Sequence, residues 1–406
     1  MKFTISLITC LLFIQPIFSA EEFPTFCESP EQTLCNREAS EERIEIFNKL
    51  KGEIAAEAAL NAEIRYEKEL PKRGLFQSLR TYIAKEKILN QEIIYAAERK
   101  LGHFEKDIVS ESNVKEIKKY LAIAIDKSHL SDKLKKKFKK IVTEEVYVGN
   151  YIDFMESTNV TSSYFKQLWR AHCGMDGMVV NAFAANADHK KYVLVCPGLL
   201  VKLNTLKNST ELNNEIFLIL AHEISHHFDS GKFKKAYKSL AECYQREIAK
   251  ELNKRNERKC ELDDSRCVEN LQASNLKTET KCASKLPPIE KNGCLFLGKK
   301  WNELVFNRCQ KGTGESCLKT VTWSHLGEMS ADYWALKAMG QYMKDHFYLP
   351  SEGEEFLRVN FETLCGSGDE GIHADSNIRG NYLIGQNPVI RYQMSCLPPS
   401  RIYCEI

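Results

Sequence analysis

From residue 38 to 145 apolar residues recur at helical spacing, as in Ile46, Leu50, Ile54 and Ala58, within a background of Glu, Lys and Ala. This pattern predicts several α-helices. Between 160 and 200 it changes: GMVVNAFA and KYVLVCPG are β-branched or aromatic runs separated by the turn-prone AANADHK, which predicts an antiparallel hairpin. Helical character returns from Asn213 to Lys234, a segment carrying IFLILAHEISHHF, and again over 236–254. A cysteine-dense stretch with Gly and Pro, from about 255 to 320, reads as a loop-rich insertion stapled by disulfides. A further helix is predicted over Leu326–His346. The expected fold class is α+β, mostly helical with a small β-sheet.

The 406 residues suffice for two or three domains. A formal net charge of +2 gives no electrostatic reason to expect nucleic acid as a partner, and the basic run KLKKKFKK at 134–141 reads as a solvated helix face. Residues 1–20 combine Lys2, an apolar stretch from Phe3 to Phe18 and the small pair Ser19–Ala20, the pattern of an export signal. No later stretch reaches the roughly 18 apolar residues of a membrane span, so no stable membrane insertion is expected after cleavage. One of the fifteen cysteines, Cys10, lies in that leader. The even number left, in an exported chain, implies disulfides and a secreted or periplasmic location. Cys173 and Cys196 flank the predicted hairpin and are placed to bridge it.

In HEISH, His222 and His226 are four residues apart and project from one helix face, where both imidazoles can bind one zinc ion per chain. Glu223 beside them is placed as general base. A catalytic zinc needs a third protein ligand, and LGEMSAD supplies Glu328. Asp332, four residues on, faces the same way and can accept the free N–H of a ligand histidine.

With these residues the sequence resembles the neprilysin family of zinc peptidases, in four blocks. VNAFA implies that Asn181 and Ala182 bind the substrate backbone. HEISHHFD implies that Asp229 supports a later histidine, and LGEMSAD matches the third-ligand block. LCGSGDEGIHADSNIR places His373 and Arg379 six apart, implying an oxyanion-stabilising histidine and an arginine on a substrate carbonyl. The resemblance covers 165–406. It implies a thermolysin-like zinc peptidase domain over 161–406, behind a helical N-terminal region at 21–160 that acts as a reduced cap. It also implies the pairs Cys27–Cys396, Cys35–Cys365 and Cys243–Cys404. Ala184 and His227 depart from the family pattern; adjacent helical residues point about 100° apart, so His227 reads as a bystander. The expected activity is hydrolysis of peptide bonds in peptides or unfolded proteins, the alternative being a weakly active or inactive binding module on the same fold. Nothing in the sequence fixes the oligomeric state.

Overall fold

A computed structural model describes residues 25–35, 37–69, 77–101, 109–150, 171–174, 177–187, 190–204, 209–241, 243–244, 323–347, 349–361, 378–399 and 403–406. The leader, the insertion at 255–320, His373 and Cys365 lie outside these residues.

The described residues include ten α-helices and three strands. In chain order they are α1 (Pro30–Leu34), α2 (Arg37–Glu69), α3 (Gln77–Leu101), α4 (Glu111–Asp126), α5 (Asp132–Lys140), β1 (Val146–Asn150), β2 (Ala182–Ala187), β3 (Lys190–Val195), α6 (Pro197–Asn204), α7 (Ser209–Ser225), α8 (Trp323–His346), α9 (Pro350–Phe361) and α10 (Pro388–Gln393). A π-helical turn, Ile141–Glu145, joins α5 to β1. The fold class is α+β and mostly helical, with one small sheet. No helix among the described residues is long and apolar enough to cross a membrane.

The predicted hairpin is present: β2 and β3 pair antiparallel, with Ala182 opposite Val195 and Ala184 opposite Val193. The first half of GMVVNAFA is not strand, however, and β2 begins at Ala182. The strand β1 was not anticipated, because residues up to 145 read as helix and VYVGN is short. It pairs parallel to β3, Val146 opposite Lys191, giving the order β1-β3-β2. Among the described residues β2 is therefore an edge strand.

Apolar spacing explains the long helices α2 and α3, which bury Ile54, Ala58, Ile93, Ala96 and Ala97 between them. The cross-links Arg65–Glu92 at 2.9 Å, Arg99–Glu57 at 2.6 Å and Lys100–Glu53 at 3.2 Å run in opposite senses along the two helices, so they are antiparallel. Met178 and Val201 share this small core. The main core is elsewhere: α4, α5 and β1 join α7, α8 and α9 in one apolar cluster, so part of the segment expected as a cap supports the site directly.

Helix α8 occupies the centre of that cluster and is buried from Leu326 through Gly340. Its buried polar residues each have a partner, as burial in a low-dielectric core demands. Ser330 Oγ accepts from Ser230 N at 3.0 Å, Lys337 Nζ donates to Tyr333 Oη at 3.0 Å, and Trp334 Nε1 donates to Tyr237 Oη at 2.6 Å. Among the described residues three disulfides are present: Cys27–Cys396 and Cys243–Cys404 tie distant segments, and Cys173–Cys196 bridges the hairpin as expected. The expected Cys35–Cys365 pair involves a residue outside the description.

Candidate metal centre

Helix α7 is driven into the core by Ile216, Phe217, Leu220, Ala221 and Ile224, all 0–3 % exposed. Each of the four larger side chains contributes roughly 1.5–3 kcal/mol by leaving water. That anchoring carries the polar His222 and Glu223 into a buried setting. The helix ends at Ser225 rather than continuing to Lys234, but His226 N still donates to His222 C=O at 3.2 Å, so the four-residue spacing keeps the two imidazoles together.

His222 Nε2 lies 3.0 Å from His226 Nε2 and 3.0 Å from Glu328 Oε2, and His226 Nε2 lies 3.3 Å from that same oxygen. These three residues form a group able to hold a metal ion. Both Nδ1 atoms are occupied by carboxylates: His222 Nδ1 meets Asp332 Oδ1 at 2.8 Å, and His226 Nδ1 meets Asp229 Oδ2 at 3.0 Å. With their N–H groups directed there, two neutral imidazoles and a carboxylate present lone pairs to one point. That arrangement is repulsive unless a cation or protons occupy it. The spacings are close to the roughly 3.3 Å that tetrahedral angles and zinc bonds of about 2.0–2.2 Å imply. The donor set therefore fits zinc.

The surrounding electrostatics agree. Burial works to lower the pKa of both ligand histidines, but the carboxylates of Asp332, Glu328 and Asp229 outweigh it and raise both in the metal-free chain. Burial also pushes Asp332 upward, yet the Arg379 guanidinium and His222 hold it down at about 2. Glu223 is raised by burial among these groups.

Each expected site residue has a definite place, apart from His373, which lies outside the described residues. Asp229 meets the ligand His226 that precedes it, a partner different from the later histidine expected, and accepts from Lys232 N at 3.1 Å through its other oxygen. Arg379 is buried and donates to Asp332 Oδ1, a contact different from the expected substrate carbonyl. Asn181 donates from its side chain to His172 C=O at 3.2 Å, and Ala182 is 1 % exposed at the start of β2.

The residue of β2 that reaches the site is Ala184, whose N–H donates to Glu223 Oε2 at 2.9 Å. In an antiparallel ladder only alternate residues turn their backbone groups to the partner strand. Cys196 N donates to Asn181 C=O, so Asn181, Phe183 and Ala185 face β3, leaving Ala182, Ala184 and Asn186 to the open edge. This parity was the available signal, and sequence reasoning did not use it. His227 is no ligand: its Nε2 donates to Tyr192 C=O at 2.9 Å, and burial followed by the nearby Lys232 charge lowers it to about 3.

Residues 157–249 match the model of Peptidase family M48. The match includes Asn181, Ala182, His222, Glu223 and His226, spans less than a quarter of the chain, and stops short of Glu328. No curated protein matches the chain. The match supports a zinc-dependent metallopeptidase and corrects the family, since M48 is not the neprilysin family. Of the blocks that carried that resemblance, HEISHHFD and LGEMSAD supply the residues of the metal centre, so they report the chemistry of the site and not its lineage.

Proposed function

We propose that this chain is a secreted zinc endopeptidase with a thermolysin-like site, one zinc ion being held by His222, His226 and Glu328. The observation that carries the proposal is the convergence of those three ligand atoms with Glu223 alongside and the edge of β2 within hydrogen-bond reach. Zinc bound there supplies Lewis acidity to the scissile carbonyl and to the attacking water.

The chain's own residues do the rest. Glu223, held by the Ala184 N–H, accepts the proton of the water and returns it to the leaving amine. Its burial favours this, because a raised pKa lets the carboxyl hold the proton between the two steps. Asp332 and Asp229 fix the tautomer and plane of His222 and His226. Arg379 acts through Asp332, and His373 donates to the developing oxyanion. The outward groups of β2 align an extended peptide by main-chain hydrogen bonds, which suits short peptides and unfolded segments of proteins.

The deciding experiment is hydrolysis of a peptide mixture by the purified protein, abolished by chelator and restored by zinc. Turnover that survives full removal of metal sinks the proposal.

A further inference from the structure

Two lysine-rich segments far apart in sequence come together beside the metal centre. α5 with its flank, DKLKKKFKK, holds six lysines and one aspartate; the turn after the zinc helix, GKFKKAYK at 231–238, holds four lysines and no acid. The whole chain has 57 basic and 55 acidic residues, so this is a local concentration and not a reflection of composition.

The aromatic core joins them. The buried Phe138 ring lies 4.9 Å from Phe233 and 5.1 Å from Phe228, and Lys137 Nζ sits 4.7 Å above the Phe233 ring. Apolar anchors pointing inward leave the lysine heads on the outside, where Lys133, Lys136, Lys137, Lys234, Lys235 and Lys238 are exposed.

The surface continues to the cleft. Glu145 accepts from Lys191 Nζ at 2.8 Å and faces Lys140 Nζ at 3.7 Å, linking α5 to β3. Lys191 is opposite Asn186, near the end of the edge strand, and Lys232 Nζ donates to the carbonyl of the ligand His226 at 2.5 Å. A peptide laid along β2 past Asn186 therefore leaves the metal centre in the direction of the lysines. Of the rings here Phe138, Phe228 and Tyr237 are buried and Phe233 is partly covered by Lys137, so charge and not stacking dominates this surface.

We propose that these two segments form one basic surface that receives the acidic flank of the substrate, so that this enzyme prefers peptides with Asp or Glu several residues to one side of the scissile bond. This rests on the peptidase reading of the metal centre, but its binding arm does not. Charge attraction at an exposed surface is additive in small steps and screened by salt.

The test uses one cleavable peptide extended at either end by four glutamates, four glutamines or four lysines. The glutamate extension at one end is expected to raise kcat/KM about tenfold over glutamine at low salt, from several weak pairs acting together. The advantage should shrink as salt rises toward about 0.5 M. Replacing Lys136, Lys137, Lys235 and Lys238 together by Gln should reduce the glutamate-to-glutamine ratio, while Lys49→Gln with Lys51→Gln on α2 should leave that ratio in place.

Fluorescence anisotropy of the labelled glutamate peptide on the zinc-free protein reports binding without turnover. Binding there, when the zinc-loaded protein cuts none of the peptides, supports the surface and sinks the peptidase reading. The proposal is overturned by equal ratios at both ends, by equal loss in the α2 variant, or by binding to phosphatidylserine vesicles without discrimination among the peptides.

Discussion

Asp332 is bonded on one side to His222 Nδ1 at 2.8 Å and on the other to the Arg379 guanidinium, with all three side chains at most 7 % exposed. Asp332→Asn keeps the shape and removes the charge, so two separate losses follow. The ligand imidazole keeps at best a neutral amide oxygen in place of a carboxylate, and losing that charged partner typically weakens metal binding by about 10- to 100-fold. Arg379 is left as a buried cation without its carboxylate, which costs about 3–5 kcal/mol of stability when one partner of a buried pair is removed. A second substitution separates them: Arg379→Met in the Asp332→Asn background removes the orphaned charge. Urea unfolding of the zinc-free proteins should show the double variant regaining most of the lost stability, while competition with a chromophoric chelator shows zinc affinity still reduced. Wild-type zinc affinity in Asp332→Asn would refute the role given to Asp332. A double variant less stable than the single one would refute the claim that the buried charge, and not packing, sets the cost.

Glu223→Gln is expected to retain zinc and lose turnover, since the amide fits the space but accepts no proton; metal content and peptide hydrolysis measured side by side decide it. Gly198→Ala should destabilise by about 1–3 kcal/mol, because the added Cβ would meet the Met178 carbonyl carbon at 2.4 Å and Val179 O at 2.7 Å, backbone that cannot rotate away; its KM should rise as well, since Met178 leads into β2. For the metal-free chain, the raised His222 and His226 contribute stability fully present below their unfolded value of about 6.5 and lost as pH rises through their folded values. Apo stability should thus fall with rising pH in that window, and zinc uptake at neutral pH should release protons, seen as a buffer-dependent enthalpy in calorimetry. A zinc-binding enthalpy independent of the buffer would contradict this.

The parts of the site legible in the sequence are those set by local geometry. His222 and His226 are one helical turn apart, and Glu328 and Asp332 are another such pair, so one helix period places all four. The hairpin was legible because AANADHK interrupts two apolar runs. What pairs over distance was not legible. β1 has only five residues, and nothing in VYVGN names Lys191 as its partner forty-five positions on. The central position of α8 was hidden for a related reason: a helix buried on all sides has no polar face to mark its orientation. Its Ser330, Asp332 and Trp334 read as surface or core only once Ser230, Arg379 and Tyr237 are in place. Asn181 was singled out from a resemblance, whereas the backbone of Ala184, which carries no side-chain signal, is what touches Glu223.

The most exacting requirement of the site falls just past the end of α7, where a single helical hydrogen bond, His226 N to His222 C=O, still reaches the chain. His226 and Asp229 both lie in the turn that follows Ser225, and a metal ligand there must be held to within a fraction of an ångström. Three elements do this. β3 accepts from His227 through Tyr192 C=O, α8 accepts from Ser230 N through Ser330 Oγ, and Tyr237 Oη donates to Phe228 C=O while accepting from Trp334. Each uses a buried hydrogen bond whose loss would strand a polar group away from water, costing about 1–3 kcal/mol. The turn is therefore fixed by residues outside the metal-binding motif, and the geometry of His226 depends on the sheet and on α8 as much as on the helix that precedes it.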